Sequence, residues 1–340
     1  MAITKCKQTK ENIIRMAQAA FPERFEQMME SHVGEAQVVD CAEEKQDSVQ
    51  IEEMTEGMCN VAYKLTFADG FRTILKIASP IKSGFLSNER FLMEAEVRAL
   101  KLVAAKTDVK VPEVYAYDTS KTVCEGDYFF MECMEGVNWI TVYDDLTEET
   151  RAGLRRQIGE VQRELMTVTN PTFGMLGDDE YSFNSLFEFV YFMMKNVLKD
   201  AAARDIEIGV PAAEILTALA MDKACFDEVT TPSLVHWDMW EGNIFVRDGK
   251  VTGIIDWERT MWGEPFMDEP FRYHKRTPQT LEGFGISLED LSQAEKCRLR
   301  WYDIFLYLTM MTEVFYREYE DKGQYNWPKG LFDEVWKKQM

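Results

Sequence analysis

The sequence predicts an α+β protein of two lobes, a small β-rich lobe at the N-terminal end and a larger, mostly helical lobe after it. Three observations predict it. Strand-like segments crowd between Gln50 and Cys133 around a single helical stretch, and helical periodicity dominates from Thr147 onward. One Asp-Gly hairpin interrupts those helices and carries a cluster of acidic and amide side chains. With 340 residues, 46% of them apolar, the chain is long enough to bury a substantial core in each lobe.

The elements follow in order. Ile13, Ala17 and Phe21, then Phe25, Met28 and Met29, recur at helical spacing, with Pro22 suited to open a second helix. Gln50–Met54 begins the strand-rich region. Val61–Phe67 and Phe71–Ile77 read as strands joined by a turn at Ala68-Asp69-Gly70. A helix is expected from about Ser87 to Ala105, then strands near Glu113–Tyr117 and Tyr128–Cys133. Residues 1–135 would thus hold a helical extension, a five-stranded antiparallel sheet and one helix. The boundary falls near Glu135-Gly136, leaving 136–340 as the helical lobe.

Composition excludes several classes of function. The most apolar stretch, Ser185–Leu198, is broken by Glu188 and Lys195, so no membrane span is expected, and Met1–Lys5 lacks the apolar run of a signal peptide. Seven cysteines, at 6, 41, 59, 124, 133, 225 and 297, include no Cys-x-x-Cys pair. That argues against a zinc site and for free thiols in the cytoplasm. With 59 acidic against 38 basic side chains, the formal charge of −21 repels nucleic acid and anionic membranes. The same field would attract a cationic small molecule.

The chemistry concentrates in Leu234-Val235-His236-Trp237-Asp238-Met239-Trp240-Glu241-Gly242-Asn243 and Ile254-Ile255-Asp256-Trp257-Glu258. Asp238 could orient a hydroxyl, while Asn243 and Asp256 could hold magnesium against a nucleotide's phosphates. Arg247-Asp248-Gly249-Lys250 reads as a tight turn joining Ile244–Val246 to a strand from Val251 through Trp257. A two-residue loop would pair Arg247 with Lys250 and Asn243 with Ile254, making Asn243 and Asp256 diagonal neighbours.

The pattern His-x-Asp-x-x-x-x-Asn followed by Ile-Asp-Trp-Glu resembles the aminoglycoside phosphotransferase family of small-molecule kinases, which includes choline, homoserine and macrolide kinases. The resemblance runs from about Ile51 to Asp268 and implies a protein-kinase-like fold. It makes Asp238 the catalytic base, Asn243 and Asp256 the magnesium ligands, and His236 a brace for the loop. Gly263-Glu264-Pro265-Phe266-Met267-Asp268 resembles the family's Gly-Asp-Pro segment, which makes Asp268 a buttress of that loop. Two departures stand beside Asp238: Trp237 where Gly is common in the family, and Trp240 where a His or another residue is common.

On the nucleotide side, Lys76 lies in a strand and could reach phosphates if a carboxylate held its ammonium; Lys82, beyond Pro80, is the weaker alternative. Glu96 shares a helical face with Leu92, Met93, Ala99, Leu100 and Val103, and periodicity favours it as that partner. The resemblance instead favours Glu94, so both stay open. The resemblance further implies that Gly57 and Asn60 form a phosphate-facing turn, that Met131 backs the adenine pocket, and that the Glu132 C=O and Met134 N–H meet the base.

The implied reaction is transfer of the γ-phosphoryl group of ATP, or GTP, to an alcohol, with Asp238 accepting the proton late, so an ordinary carboxylate pKa would serve. The acceptor would be a small molecule, an aminoglycoside or another cationic or sugar-like compound, or a metabolite such as choline, homoserine or a ketosamine. Asp178, Asp179, Glu180, Tyr181, Glu188, Trp301, Asp303, Tyr307, Glu313 and Tyr316 supply acidic and aromatic groups on that side, though each suits surface or packing duty as well. A silent nucleotide sensor is the rival reading. A protein kinase is disfavoured by the lack of Asp-Phe-Gly and of a three-glycine loop. A metal-dependent hydrolase would leave Lys76 unexplained. Oligomeric state is not legible.

Overall fold

The structure, a computed structural model, describes residues 7–32, 49–54, 60–79, 84–321 and 323–338. Gly57, Lys82, Cys6, Cys41 and Cys59 lie outside them. The chain divides into two compact units, Met1–Ser83 with Pro112–Cys133, and Gly84–Val111 with Met134–Met340.

In the smaller unit, helices α1 (Lys10–Ala20) and α2 (Pro22–His32) precede strands β1 (Val49–Met54), β2 (Val61–Phe67), β3 (Arg72–Ile77), β4 (Val114–Asp118) and β5 (Tyr128–Glu132). Pro22 opens α2, where its missing N–H costs nothing. The sheet is antiparallel in the order β1-β2-β3-β5-β4. Alternation in β2 sends Val61, Tyr63, Leu65 and Phe67 to the buried face, where they meet Ile13, Ile14 and Ala17 of α1. Phe21, between the two helices, meets Phe67, Phe71, Tyr115 and Phe130 nearly edge-on, with centroids 5.1–6.0 Å apart.

The larger unit holds α3 (Leu92–Lys106), β6 (Val137–Asn138), α4 (Trp139–Val142), α5 (Glu148–Leu165), β7 (Phe173–Met175), β8 (Ser182–Phe183), α6 (Leu186–Ala203), α7 (Ala212–Met221), β9 (Ser233–Val235), β10 (Ile244–Arg247), β11 (Lys250–Ile254), β12 (Met261–Gly263), α8 (Pro278–Phe284), α9 (Gln293–Tyr316) and α10 (Gly323–Lys337). The apolar stretch at Ser185–Leu198 becomes α6, capped by Ser185, and its Leu186, Phe189, Val190, Met193 and Val197 join the core with Trp301, Ile304 and Leu308 of α9. Among the described residues no helix is long and apolar enough to cross a membrane. Helices α5 and α8 approach through glycine: a Cβ on Gly159 would stand 2.0 Å from the Thr280 carbonyl oxygen, and one on Gly283 1.9 Å from that of Arg156.

Two expectations need correction. The helix expected from Ser87 starts only at Leu92, after a left-handed Phe91. Tertiary partners occupy the residues before it: Ser87 N–H and Oγ donate to Asp200, and Asn88 donates to the Met193 carbonyl. Helix α3 packs on the Trp257–Arg259 turn and so clusters with the larger unit, although the sequence order groups it with the strands. The second correction concerns the hairpin, described next.

Candidate active site

Asp248 and Gly249 both take positive φ, 52° and 72°, as a two-residue turn matched to strand twist requires. Arg247 pairs with Lys250 as expected. The expected partnership of Asn243 with Ile254 is wrong. A bulge after Val246↔Val251 makes Phe245 face Gly253 and Ile244 face Ile254. Thr252 is the extra residue, and its hydroxyl donates to the Glu135 carbonyl at 2.6 Å. Asn243 therefore lies opposite Ile255, whose N–H donates to its carbonyl at 3.0 Å. The strand also ends at Ile254 rather than Trp257. Asp256 then turns the chain at φ 66°, an uncommon conformation for a residue with a Cβ, and opens a 3-10 turn at Trp257–Arg259.

The loop from His236 to Asn243 is held by two side chains. Asp268 is fully buried; its carboxylate accepts from the N–H groups of His236 (3.1 Å), Met239 (3.3 Å) and Glu269 (2.8 Å), and from Gln162 Nε2 (2.8 Å). His236 Nδ1 accepts from the Asp238 N–H at 3.2 Å, which leaves the proton on Nε2, 2.9 Å from the Ile255 carbonyl. One imidazole thus ties the Asp238 loop to the Asp256 turn. Trp257 packs edge-on against that ring at 4.5 Å and donates its own N–H to the Ile254 carbonyl.

Asn243 is buried and donates its amide to the Asp238 carbonyl at 2.9 Å, leaving its Oδ1 as the end able to meet a cation. Carboxylate oxygens of Glu96, Asp256 and Glu258 all lie within 4.8 Å of one another. Carboxylates so close repel unless positive charge stands among them. This all-oxygen set, with Asn243 nearby in the chain, fits a hard cation such as magnesium. Glu258 was in the motif but had no assigned role. Of the two helix carboxylates, Glu96 is fully buried, whereas Glu94 is partly exposed and pairs with Arg98 at 2.7 Å. The smaller unit places Lys76 on β3 between Ala62 and Phe129, Asn60 buried before β2, and Met131 and Glu132 at the end of β5. Met134, in the larger unit, lays its side chain over Gly253.

Electrostatics change one expectation. Asp238 does not have an ordinary carboxylate pKa: burial pushes it well up, and nearby Asp256 and Glu269 add to this against the opposing pull of Arg259. Arg259 belongs to a buried quartet no spacing announced. It donates to Glu89 at 2.8 Å and to Glu313, while Arg317 donates to Glu89 and stands 3.5 Å from Glu313. Arg259 also lies over the Trp237 ring, 5.1 Å from its centroid. Trp237 itself takes φ 75°, a left-handed conformation that glycine adopts more readily. Packing against Phe305 and Arg259 holds the bulkier side chain there. Most groups proposed for the acceptor side already have partners. Asp178 and Glu180 bind Arg90, Asp179 binds Arg98, Asp303 lies 3.6 Å from Arg272, and Tyr307 meets His274. Trp301 donates to Asp222, Tyr316 to the Asp200 carbonyl, and Glu313 sits in the quartet.

The sequence profile described as the phosphotransferase enzyme family matches residues 50–268, and the chain belongs to that family. Its fold is the protein-kinase-like α+β fold expected from the sequence. A candidate aminoglycoside phosphotransferase from Ralstonia eutropha aligns over 94% of this chain and 98% of its own, with TM-score 0.61 at 15% identity. A thermostable mutant of aminoglycoside phosphotransferase APH(4)-Ia, in ternary complex with ADP and hygromycin B, aligns over 84% and 92%, with TM-score 0.59 at 17% identity. A candidate fructosamine-3-kinase from Thermobifida fusca gives 0.61 at 15% identity over 85% and 93%. Among curated proteins, a subtelomeric hrmA-associated cluster protein of Aspergillus fumigatus is 28% identical over 127 residues, 37% of this chain and 24% of that protein. The chain therefore matches about a quarter of that relative's length.

Proposed function

We propose that this protein transfers the γ-phosphoryl group of ATP or GTP to a hydroxyl of a small molecule. The observation that carries the reading is the joint bracing of Asp238, Asn243 and the Asp256 turn by His236 and Asp268. Phosphoryl transfer asks for positioned groups and neutralised charge more than for covalent chemistry. Magnesium, when bound by Asn243 and Asp256, would neutralise phosphate charge. Asp238 orients the acceptor hydroxyl and takes its proton. A carboxyl of raised pKa suits that task, being more basic than an exposed one. His236 and Asp268 keep the loop in register. In the smaller unit, Lys76 is assigned to the phosphates, as is Asn60, and Gly57 is carried over with them on the resemblance alone. Glu96, buried beside Asp256, is favoured over Glu94 as the helix carboxylate. Met131, Glu132 and Met134 are assigned to the base. The net charge of −21 supports a small-molecule acceptor over nucleic acid, and the cysteine pattern supports a cytoplasmic setting.

Asp256→Ala tests the reading. Magnesium-dependent nucleotide binding, followed by calorimetry with and without the cation, should disappear; binding that survives unchanged would refute the assignment. Single-turnover assays with labelled ATP and a panel of aminoglycosides, amino alcohols, ketosamines and sugars separate an enzyme from a silent sensor, which would bind nucleotide tightly and phosphorylate nothing.

A further inference from the structure

Spacing along the chain argued against a zinc site, because no two cysteines stand close in sequence. Folding removes that separation. Cys225 lies in a 3-10 turn at Lys223–Phe226, just after α7, while Cys297 lies buried in the first turns of α9. Asp222, three residues before Cys225, completes a set of two sulfurs and one carboxylate oxygen, all within 4.8 Å of one another. This set is separate from the Asp238 loop in sequence and in donor chemistry.

We propose that Asp222, Cys225 and Cys297 form a binding site for one zinc ion, with water in the fourth position. Donor type selects the ion, since two thiolates favour a borderline-soft cation and disfavour magnesium. Distance permits it. Ligands of a single tetrahedral zinc stand roughly 3.5–3.8 Å apart, so closure onto the ion asks for a contraction of about 1.3 Å at most. Supporting contacts are already in place. The Trp301 indole N–H donates to Asp222 Oδ2 at 2.9 Å and orients the carboxylate. Arg300 Nη2 lies 3.7 Å from Cys297 Sγ and 3.4 Å from Asp222 Oδ2. Two thiolates and one carboxylate around a divalent ion leave a single net negative charge, which that guanidinium balances. Asp222 and Cys225 are partly exposed and offer the ion a way in.

Protons account for the rest of the step. A cysteine ligates zinc as the thiolate, so each thiol gives up its proton on binding. Zinc replaces the two thiol protons, which pass to solvent, and no electron moves. The bound ion would pin the end of α7 to α9. Arg298 already links the same corner to the catalytic side: it donates to the Cys225 carbonyl at 2.6 Å and to Glu264 at 2.9–3.1 Å, four residues before Asp268.

Cobalt reports directly on thiolate ligation, so the full chain, reduced and freed of metal, is titrated with cobalt and then zinc. One equivalent should bind with thiolate-to-cobalt absorption in the near ultraviolet, and zinc should bleach it. Cys225→Ser should weaken cobalt by more than about 100-fold, beyond the 10–100-fold cost of losing a supporting contact, and Arg300→Gln should weaken it by about tenfold. Cys225 and Arg300 are partly exposed, so these variants stay informative if Cys297→Ser fails to fold. No thiolate band in the parent protein, or an equal band in Cys225→Ser, would overturn the site. So would a reduced protein that takes up no cation yet closes a Cys225–Cys297 disulfide in air.

Discussion

The loop around Asp238 and the Glu89–Arg259–Glu313–Arg317 quartet both bury polar groups, by opposite means. In the loop, Asp268 and His236 accept mainly from backbone N–H groups of the residues they steady, over separations of at most 32 positions. In the quartet the bonds between the two arginines and the two glutamates join charged side chains, across 170 positions for Arg259 with Glu89 and 228 for Arg317 with Glu89. Among these carboxylates Glu89 also accepts from the Leu86 N–H at 2.9 Å. Backbone donors are present whatever the sequence, so one well-placed carboxylate organises a whole loop. Paired ions have no such insurance, and losing one strands another in a medium that penalises charge. The loop should therefore tolerate the loss of single contacts better than the quartet does, while the chemistry depends on the loop.

The largest effect should come from Asp238→Asn. Removing a general base costs about 10²–10⁴-fold in turnover, with nucleotide affinity near that of the parent. A large loss of binding instead would assign Asp238 to the metal. The same change should stabilise the fold. A carboxyl whose folded pKa lies above its unfolded value contributes stability that is greatest at low pH and fades as pH rises past the ordinary carboxylate range. Asparagine stays neutral, so the variant should melt higher at neutral pH; an unchanged or lower melting temperature would break this account.

Glu313→Gln should destabilise by about 3–5 kcal/mol, the cost of breaking a buried ion pair. Burial would raise the Glu313 pKa, but Arg259 and Arg317 outweigh it and hold the carboxyl below its usual 4.5. Burial raises Glu89 despite the same arginines, so Glu89 takes the first proton as pH falls. For Glu313 the sign is that of a depressed acid: its contribution is present above 4.5 and lost as pH drops through the folded value. Denaturant curves should show the parent–variant gap widest near neutrality and shrinking in acid. A gap independent of pH would mean the quartet is held by packing.

The smallest effect is expected for Gln162→Leu. It removes one of several donors to Asp268 and should cost roughly 1 kcal/mol by the same curves. A loss matching that of Glu313→Gln would erase the contrast between the two regions.

Asp248-Gly249 was legible because its turn depends only on two residues that accept positive φ, and β2 because its alternation is local. Asn243 was recognised, but its partner was misplaced by one residue, since the Thr252 bulge depends on the Glu135 carbonyl across the sheet. Helix α3 was legible while its start was not, because Ser87 and Asn88 spend their polar groups on α6. The family, too, was visible in His236, Asp238, Asn243 and Asp256, whose spacing survives wherever one loop and one hairpin carry the site.

By itself the sequence determined the periodicities, the turn, the order of elements and the residue types offered for chemistry, all of which rest on neighbours within a few positions. Only the tertiary structure decided that burial raises the Asp238 pKa, that Arg259 is spent on Glu89 and Glu313, and that Cys225 meets Cys297. Each of those outcomes depends on burial or on partners brought from distant positions, and such proximity exists only once the helices have packed.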